Sequence, residues 1–462
     1  MAQPLREHWS SRLGFILAAA GSAIGLGTLW KFPSVVGEHG GGFFVFIYLV
    51  FTLFIGIPLF IGELALGRHA QRGAVGIFAS ISGERSFWKT VGWLGVASSF
   101  LILSYYCVVA GWGLNYFMMS INQFYEAHSA DQISNIFQIL YTSGDISIFW
   151  AFIFLLITLG VVYQGIRKGI EFWSRILMIS LFILLVALAC YSVTLDGFKE
   201  AVRFILVPSP GGFKPSGILD ALGLSFFTLS LAQGVLLTYG SYLRPSEDLP
   251  KTALIVGSMV MLVSVLVVMM IFPVIFTFNL SPSGGAGLVF ETLPVLFAQL
   301  PGAMLLSTLF FALFTFTALT SAVALLEVIS ANFIDLFGWS RHKAVLLSTG
   351  AAFVVSIPSA LAGSQDLFKS WLPIYGLNFF GTVDSLVSVW LLPLGGFLTA
   401  LYIGWHIDKA MIRKEFLSGT KWVSLFSIWF FLIKWVAPIA IVLIFLQKGG
   451  FINIDKFFLA VP

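Results

Sequence analysis

Apolar runs, each of about 20 residues or more, follow one another from residue 13 to residue 447 with only short breaks between them. About 20 apolar residues in a helix cross a hydrocarbon core of about 30 Å. Within such a core, only helices or closed barrels can satisfy their own backbone groups. Runs of this length predict an all-α integral membrane protein. Composition agrees: the chain is 58% hydrophobic and 10% charged, against about 25% charged in a soluble domain. No polar segment is long enough for a separate soluble domain, so one transmembrane domain is expected over residues 1–462.

The runs predict eleven helices, at about 13–36, 42–70, 88–123, 148–164, 170–193, 217–243, 252–277, 303–337, 344–362, 371–405 and 424–447. The third, eighth and tenth are long enough to tilt. Basic residues set the orientation. With the N-terminus inside, every inner connection carries Lys or Arg, whereas the outer connections at 124–147 and 278–302 carry none. An odd helix count leaves the C-terminus outside, and a multi-pass protein of a cell (inner) membrane is expected. The net charge of +4 is explained by this topology, so no nucleic-acid partner is implied. Arg6 and Arg12 before an apolar run resemble a signal peptide, but the run continues to Lys31, so an uncleaved first helix is expected. Cys107 and Cys190 both fall in apolar spans and are expected to be buried free thiols.

Two helices are interrupted. The first contains Gly21-Ser22-Ala23-Ile24-Gly25-Leu26-Gly27-Thr28, and each glycine weakens a helix by about 1 kcal/mol relative to alanine. The sixth reads Ser225-Phe226-Phe227-Thr228-Leu229-Ser230-Leu231-Ala232-Gln233-Gly234 at mid-span. Helices 1 and 6 occupy equivalent, oppositely oriented places if helices 1–5 (13–193) and 6–10 (217–405) are two halves, with helix 11 (424–447) added. Paired breaks of this kind mark a transport site between inverted repeats. Free N–H groups at half-helix ends suit a carboxylate, and freed carbonyls and hydroxyls suit an ammonium group and Na⁺.

At these residues the chain resembles the neurotransmitter:sodium symporter family, in particular its bacterial amino-acid members with the LeuT-like fold. The resemblance rests on Arg6-Glu7-His8-Trp9, the first break, Trp30-Lys31-Phe32-Pro33, Gly40-Gly41-Gly42, Gly56-Ile57-Pro58 with Glu63 and Gly67-Arg68, and Tyr105-Tyr106. It continues through Phe227-Thr228-Leu229-Ser230, Ser241-Tyr242, Thr292-Leu293-Pro294 and Ala318-Leu319-Thr320-Ser321. It implies a sodium-coupled symporter that imports neutral, hydrophobic or aromatic L-amino acids by alternating access. Proton coupling, or a receptor-like relative that binds without transport, are the alternatives left open.

By the resemblance, the substrate carboxylate meets the Ala23–Gly27 backbone (including Gly25 and Leu26) and the Tyr106 hydroxyl, and the amino group meets carbonyls of Ala23, Phe227, Thr228 and Ser230. Ile102, Phe227, Gln233, Ser321 and Leu325 line the side-chain pocket. Gly25 stands where amine carriers have an acidic residue, which favours a substrate bringing its own carboxylate. One sodium site maps fully, onto Gly21, Ile24, Thr317, Thr320 and Ser321. The other keeps only Ala23, Thr28 and Thr228, with Thr28 in place of an asparagine and the second asparagine position near Val260. Tyr48, Thr228 and Ser264 match a chloride position, but Leu224 replaces its glutamine, so no chloride requirement is expected. Lys31 with Asp384 forms the outer gate; Arg6 with Asp335, beside Trp9 and Tyr242, forms the inner one. Glu63 and Glu327 are intramembrane carboxylates that need partners. Both read as structural, with proton uptake as the other role for Glu327. No H-E-x-x-H, G-x-S-x-G or phosphate loop occurs, and the six histidines do not cluster, so no enzyme is expected.

Overall fold

The computed structural model describes residues 7–122, 130–207, 215, 217–280, 285–364 and 370–452. Among them there is no β-strand. Nine helices are long and apolar enough to span a membrane: Gly42–Ala70, Lys89–Ile121, Gly144–Tyr163, Ile166–Ser192, Leu249–Thr277, Ala303–Phe337, Arg341–Ala360, Trp371–His406 and Leu425–Lys448. Two broken spans complete the set. Arg12–Ala23 and Gly27–Glu38 form the first, bent by 47°, and Gly217–Thr228 with Val235–Gly240 form the sixth. These helices fall within a few residues of the positions expected from the sequence, the sixth being shorter than a full span in each half.

Burial separates scaffold from periphery. The third and eighth spans pack extensively on one another, and their apolar windows are 78% and 89% buried, against 33% in the fifth and eleventh. The sequence shows why. The eighth span carries Ala318, Thr320, Ser321, Ala322 and Ala324 along its centre, small residues that let neighbouring backbones approach. The fifth presents Ile176, Ile179, Ile183 and Val186 outward, as a lipid-facing helix must. Cys190 lies on this outward face and is exposed, whereas Cys107 is buried. The expectation of two buried thiols therefore fails for Cys190, because hydropathy does not distinguish lipid-facing from core positions.

Among the described residues, five shorter α-helices lie between spans: Ala74–Ser82, Ala130–Thr142, Phe198–Leu206, Thr292–Ala298 and Lys409–Leu417. The last helps to lock the end of the second span. Arg68, only 1% exposed in its side chain, donates to the Glu415 carboxylate at 2.8 Å and to the Glu247 carbonyl at 2.6 Å.

Candidate substrate and ion site

The break in the first span begins where Ser11 has capped a helix and Ile24 ends it. The Ser11 hydroxyl accepts from the Gly14 N–H, and Ile24 leaves helical geometry at ψ 85°. Glycine is required here by close approach. A Cβ on Gly25 would lie 2.5 Å from Ser321 Oγ and 3.2 Å from the Tyr106 hydroxyl; one on Gly27 would lie 2.5 Å from the Phe227 ring. Spans 1, 3, 6 and 8 thus meet at two residues that carry no side chain.

The sixth span opens differently. Ser230, Ala232 and Gly234 take positive φ values of 53°, 60° and 75°. For the two non-glycine residues this backbone is strained, of order 1–3 kcal/mol each, and such strain gathers at functional sites. Three contacts hold the turn. The Ala232 N–H donates to Glu63 Oε1 at 2.8 Å, the Ser230 hydroxyl donates to the Ser22 carbonyl at 2.8 Å, and the Gln233 carbonyl accepts from the Ser99 hydroxyl. Glu63 therefore works from the second span as a cap for unwound backbone.

Between the breaks lies a small cavity of about 20 Å³, room for about one water. Ala23, Gly25, Leu26 and Gly27 form one wall, to which the Tyr106 hydroxyl is fastened by accepting the Leu26 N–H at 3.2 Å. Ile102, Leu325 and Val235 supply apolar surface; Phe227, Ser230, Gln233 and Ser321 complete the lining together with Ser22. Val235 and Ser22 were not singled out in the sequence, although Ser22 sits inside the glycine-rich motif. Of the expected substrate residues, Thr228 does not line the cavity, because its hydroxyl is 2.9 Å from that of Tyr48. Tyr48 also reaches Ser264 at 3.1 Å, so the three hydroxyls matched to the chloride position do meet. A larger cavity, about 570 Å³, is lined by His69, Arg72, His406 and Asp408 and touches neither break.

Oxygen atoms gather where the first and eighth spans touch. The Ser321 hydroxyl donates to the carbonyls of Gly21 (3.2 Å) and Ser22 (3.0 Å), and the Thr320 hydroxyl donates to the Thr317 carbonyl at 2.9 Å. A Cβ on Gly21 would come within 3.1 Å of Thr320 Cβ. Gly21, Thr317, Thr320 and Ser321 are thus one neighbourhood of hard oxygens beside the end of the helix at Ile24, a chemistry suited to Na⁺. The thinner set around Ala23 has one telling atom: the Thr28 hydroxyl is fully buried and without a hydrogen-bond partner.

Above the cavity, Lys31 Nζ lies 2.5 Å from Asp384 Oδ1, 3.1 Å from the Ser388 hydroxyl and 4.4 Å from the centre of the Phe227 ring. Below it, Trp9 donates its ring N–H to the Tyr239 carbonyl at 3.1 Å and its backbone N–H to the Tyr242 carbonyl at 3.2 Å. Arg6 lies outside the described residues; Asp335 accepts a hydrogen bond from the Gly73 N–H. Glu327 is fully buried and paired: Arg341 reaches its two carboxylate oxygens at 2.5 and 3.4 Å, and the Tyr242 hydroxyl donates to it at 2.7 Å. Its structural reading is the one this geometry supports. Glu171, at the start of the fifth span, accepts from the Ser10 N–H (2.8 Å) and the Ser11 hydroxyl (2.9 Å), tying down the chain ahead of the first span. Arg341 and Glu171 carry no motif and were not singled out in the sequence.

Comparison with known proteins follows the same outline. A sequence model of the Sodium:neurotransmitter symporter family matches residues 6–138 and 122–454. The chain belongs to the sodium:neurotransmitter symporter family. It is 37% identical over 454 residues to an uncharacterized sodium-dependent transporter of Bacillus subtilis, covering 98% of this chain and all of that one. A Haemophilus influenzae sodium-dependent transporter, also uncharacterized, is 33% identical over 96% of this chain. Among solved structures, MhsT in complex with L-phenylalanine matches with a TM-score of 0.88 and 41% identity, over 96% of this chain and 99% of that one. The protein is accordingly a multi-pass membrane protein with the LeuT-like fold of this transporter family, and not an enzyme.

Proposed function

We propose that this symporter-family member imports a neutral L-amino acid coupled to Na⁺ by alternating access, with the N-terminus on the cytoplasmic side and the C-terminus outside. The observation that carries the proposal is the cavity itself: backbone of the first break, the Tyr106 hydroxyl and Ser321 meet around one space. The Leu26 N–H, paired with the Tyr106 hydroxyl, and the Gly27 N–H beside it suit a carboxylate, and carbonyls of Ala23, Phe227 and Ser230 suit an ammonium group. No ionisable side chain other than Tyr106 lines the cavity, so a charged substrate side chain would be left unpaired. Thr317, Thr320, Ser321, Gly21 and Ile24 hold the better-formed sodium site; Ala23, Thr28 and Thr228 offer a poorer one.

The volume fits only about one water, so entry of an amino acid requires Phe227 to swing and Lys31 to part from Asp384. Exit requires the contacts around Trp9, Tyr242 and Glu327 to loosen. Gates on both sides of one site are what alternating access needs. The proposal is tested by equilibrium binding of a radiolabelled neutral amino-acid panel to purified protein in sodium and in choline. Binding of at least one member in sodium and loss of it in choline is expected. Equal binding in the two salts would remove the sodium coupling.

A further inference from the structure

Gln233 does not behave as a residue satisfied by its own protein. It is 4% exposed and lines the central cavity, yet its side-chain amide makes no hydrogen bond with any described residue. Every other polar side chain of the lining is engaged. The Ser22 hydroxyl donates to the Ala19 carbonyl at 2.8 Å, those of Ser230 and Ser321 donate to backbone carbonyls of the first span, and Tyr106 accepts from Leu26. Its amide atoms are not among the buried, unpartnered side-chain atoms, so they meet the open space of the cavity and not a sealed protein wall. An unpaired amide facing a cavity is therefore a group held ready for a ligand.

Its backbone is firmly placed. Gln233 sits between Ala232 and Gly234, both at positive φ, with the turn pinned by Glu63 and Ser99. The cavity it shares also presents apolar side chains: Ile102, Leu325, Val235 and Phe227. A phenyl or aliphatic substrate filling this space would cover the amide and leave its oxygen and NH₂ without partners. A glutamine amide can both donate and accept, so it would pair with a hydroxyl, an amide or an indole N–H.

Resting on the sodium-coupled amino-acid reading above, we infer that Gln233 selects neutral amino acids whose side chains end in a hydrogen-bonding group over those of the same shape without one. Sites built to hydrogen-bond a substrate reject the analogue that lacks the group, whereas apolar pockets discriminate weakly.

The test is sodium-driven uptake into proteoliposomes of three radiolabelled pairs of similar shape: tyrosine and phenylalanine, asparagine and leucine, threonine and valine. In the wild type, kcat/KM for the polar member of at least one pair is expected to exceed that of its partner by about tenfold or more. In Gln233→Met, and separately in Gln233→Leu, that ratio should fall to about one or invert, with the apolar member still driven by sodium. A wild type in which the apolar member of every pair is taken up as well as the polar one overturns the inference regardless of how the variants fold. So does an unchanged ratio in a variant that retains uptake. Sodium-dependent accumulation without polar preference defeats the Gln233 assignment alone; no sodium-dependent accumulation of any amino acid defeats the transport reading and this inference together.

Discussion

Lys31 pairs with Asp384 beside the Phe227 ring, and if this pair is the outer gate proposed above, breaking it should be measurable as lost substrate retention. The two side chains are 18% and 23% exposed, with 2.5 Å between Nζ and Oδ1. A hydrogen bond between charged groups contributes about 1.5–3 kcal/mol net. The lysine also lies 4.4 Å from the Phe227 ring, a cation–π contact of about 0.5–2 kcal/mol. At 1.4 kcal/mol per factor of ten, Asp384→Asn should weaken the outward-closed state by about 10- to 150-fold. Because substrate held under a closed lid leaves only when the lid opens, apparent affinity should fall by a similar factor. Lys31→Gln should fall at least as far, since it loses the ring contact too. The assay is sodium-dependent equilibrium binding for wild type, both single variants and the double variant. A cycle coupling of at least about 1 kcal/mol is expected for residues in direct contact. The reversed pair, Lys31→Asp with Asp384→Lys, should recover part of the loss. Wild-type binding by Asp384→Asn, or additive losses in the cycle, would refute the gate.

Three further outcomes follow from the site. Thr320→Ala and Ser321→Ala should each raise the sodium concentration for half-maximal uptake, with a wild-type Hill coefficient near one and no loss when gluconate replaces chloride; a coefficient near two or a strict chloride requirement would contradict the reading of one well-formed sodium site. Gly25→Val should abolish substrate binding while leaving the protein folded in detergent, since its first side-chain carbon already falls 2.5 Å from Ser321 Oγ; normal binding would show that the break does not face substrate. Arg341→Met leaves the buried Glu327 carboxylate without its counter-charge and should cost about 3–5 kcal/mol, read as a lowered melting temperature, whereas Glu327→Gln should show the same uptake-versus-pH curve as the wild type.

The spans were legible because lipid imposes a one-dimensional rule: about 20 apolar residues, then a break. The paired breaks were legible too, since glycines at 21, 25 and 27 and the polar stretch from Ser225 to Gly234 interrupt that rule at matching places. Side-chain partnerships between distant spans were not. Arg341 looks like one more inner-face positive charge, and only packing of the eighth span against the ninth brings it to Glu327. The short connecting helices escaped for a similar reason: Phe198–Leu206 buries Ala201 and Ile205 against the body of the protein and leaves its polar face out, a pattern too brief to stand out beside 20-residue runs. Gln233 was visible as an odd residue in the sixth break, but its lack of a partner exists only in three dimensions.

Sodium-driven accumulation is the most direct test of the account. Proteoliposomes holding the purified protein would be offered a radiolabelled neutral amino-acid panel under an inward sodium gradient, with choline as the control at fixed pH. The account predicts accumulation of at least one neutral L-amino acid above its external concentration in sodium and none in choline. Accumulation indifferent to sodium, or sodium-dependent binding that never becomes accumulation, would contradict it.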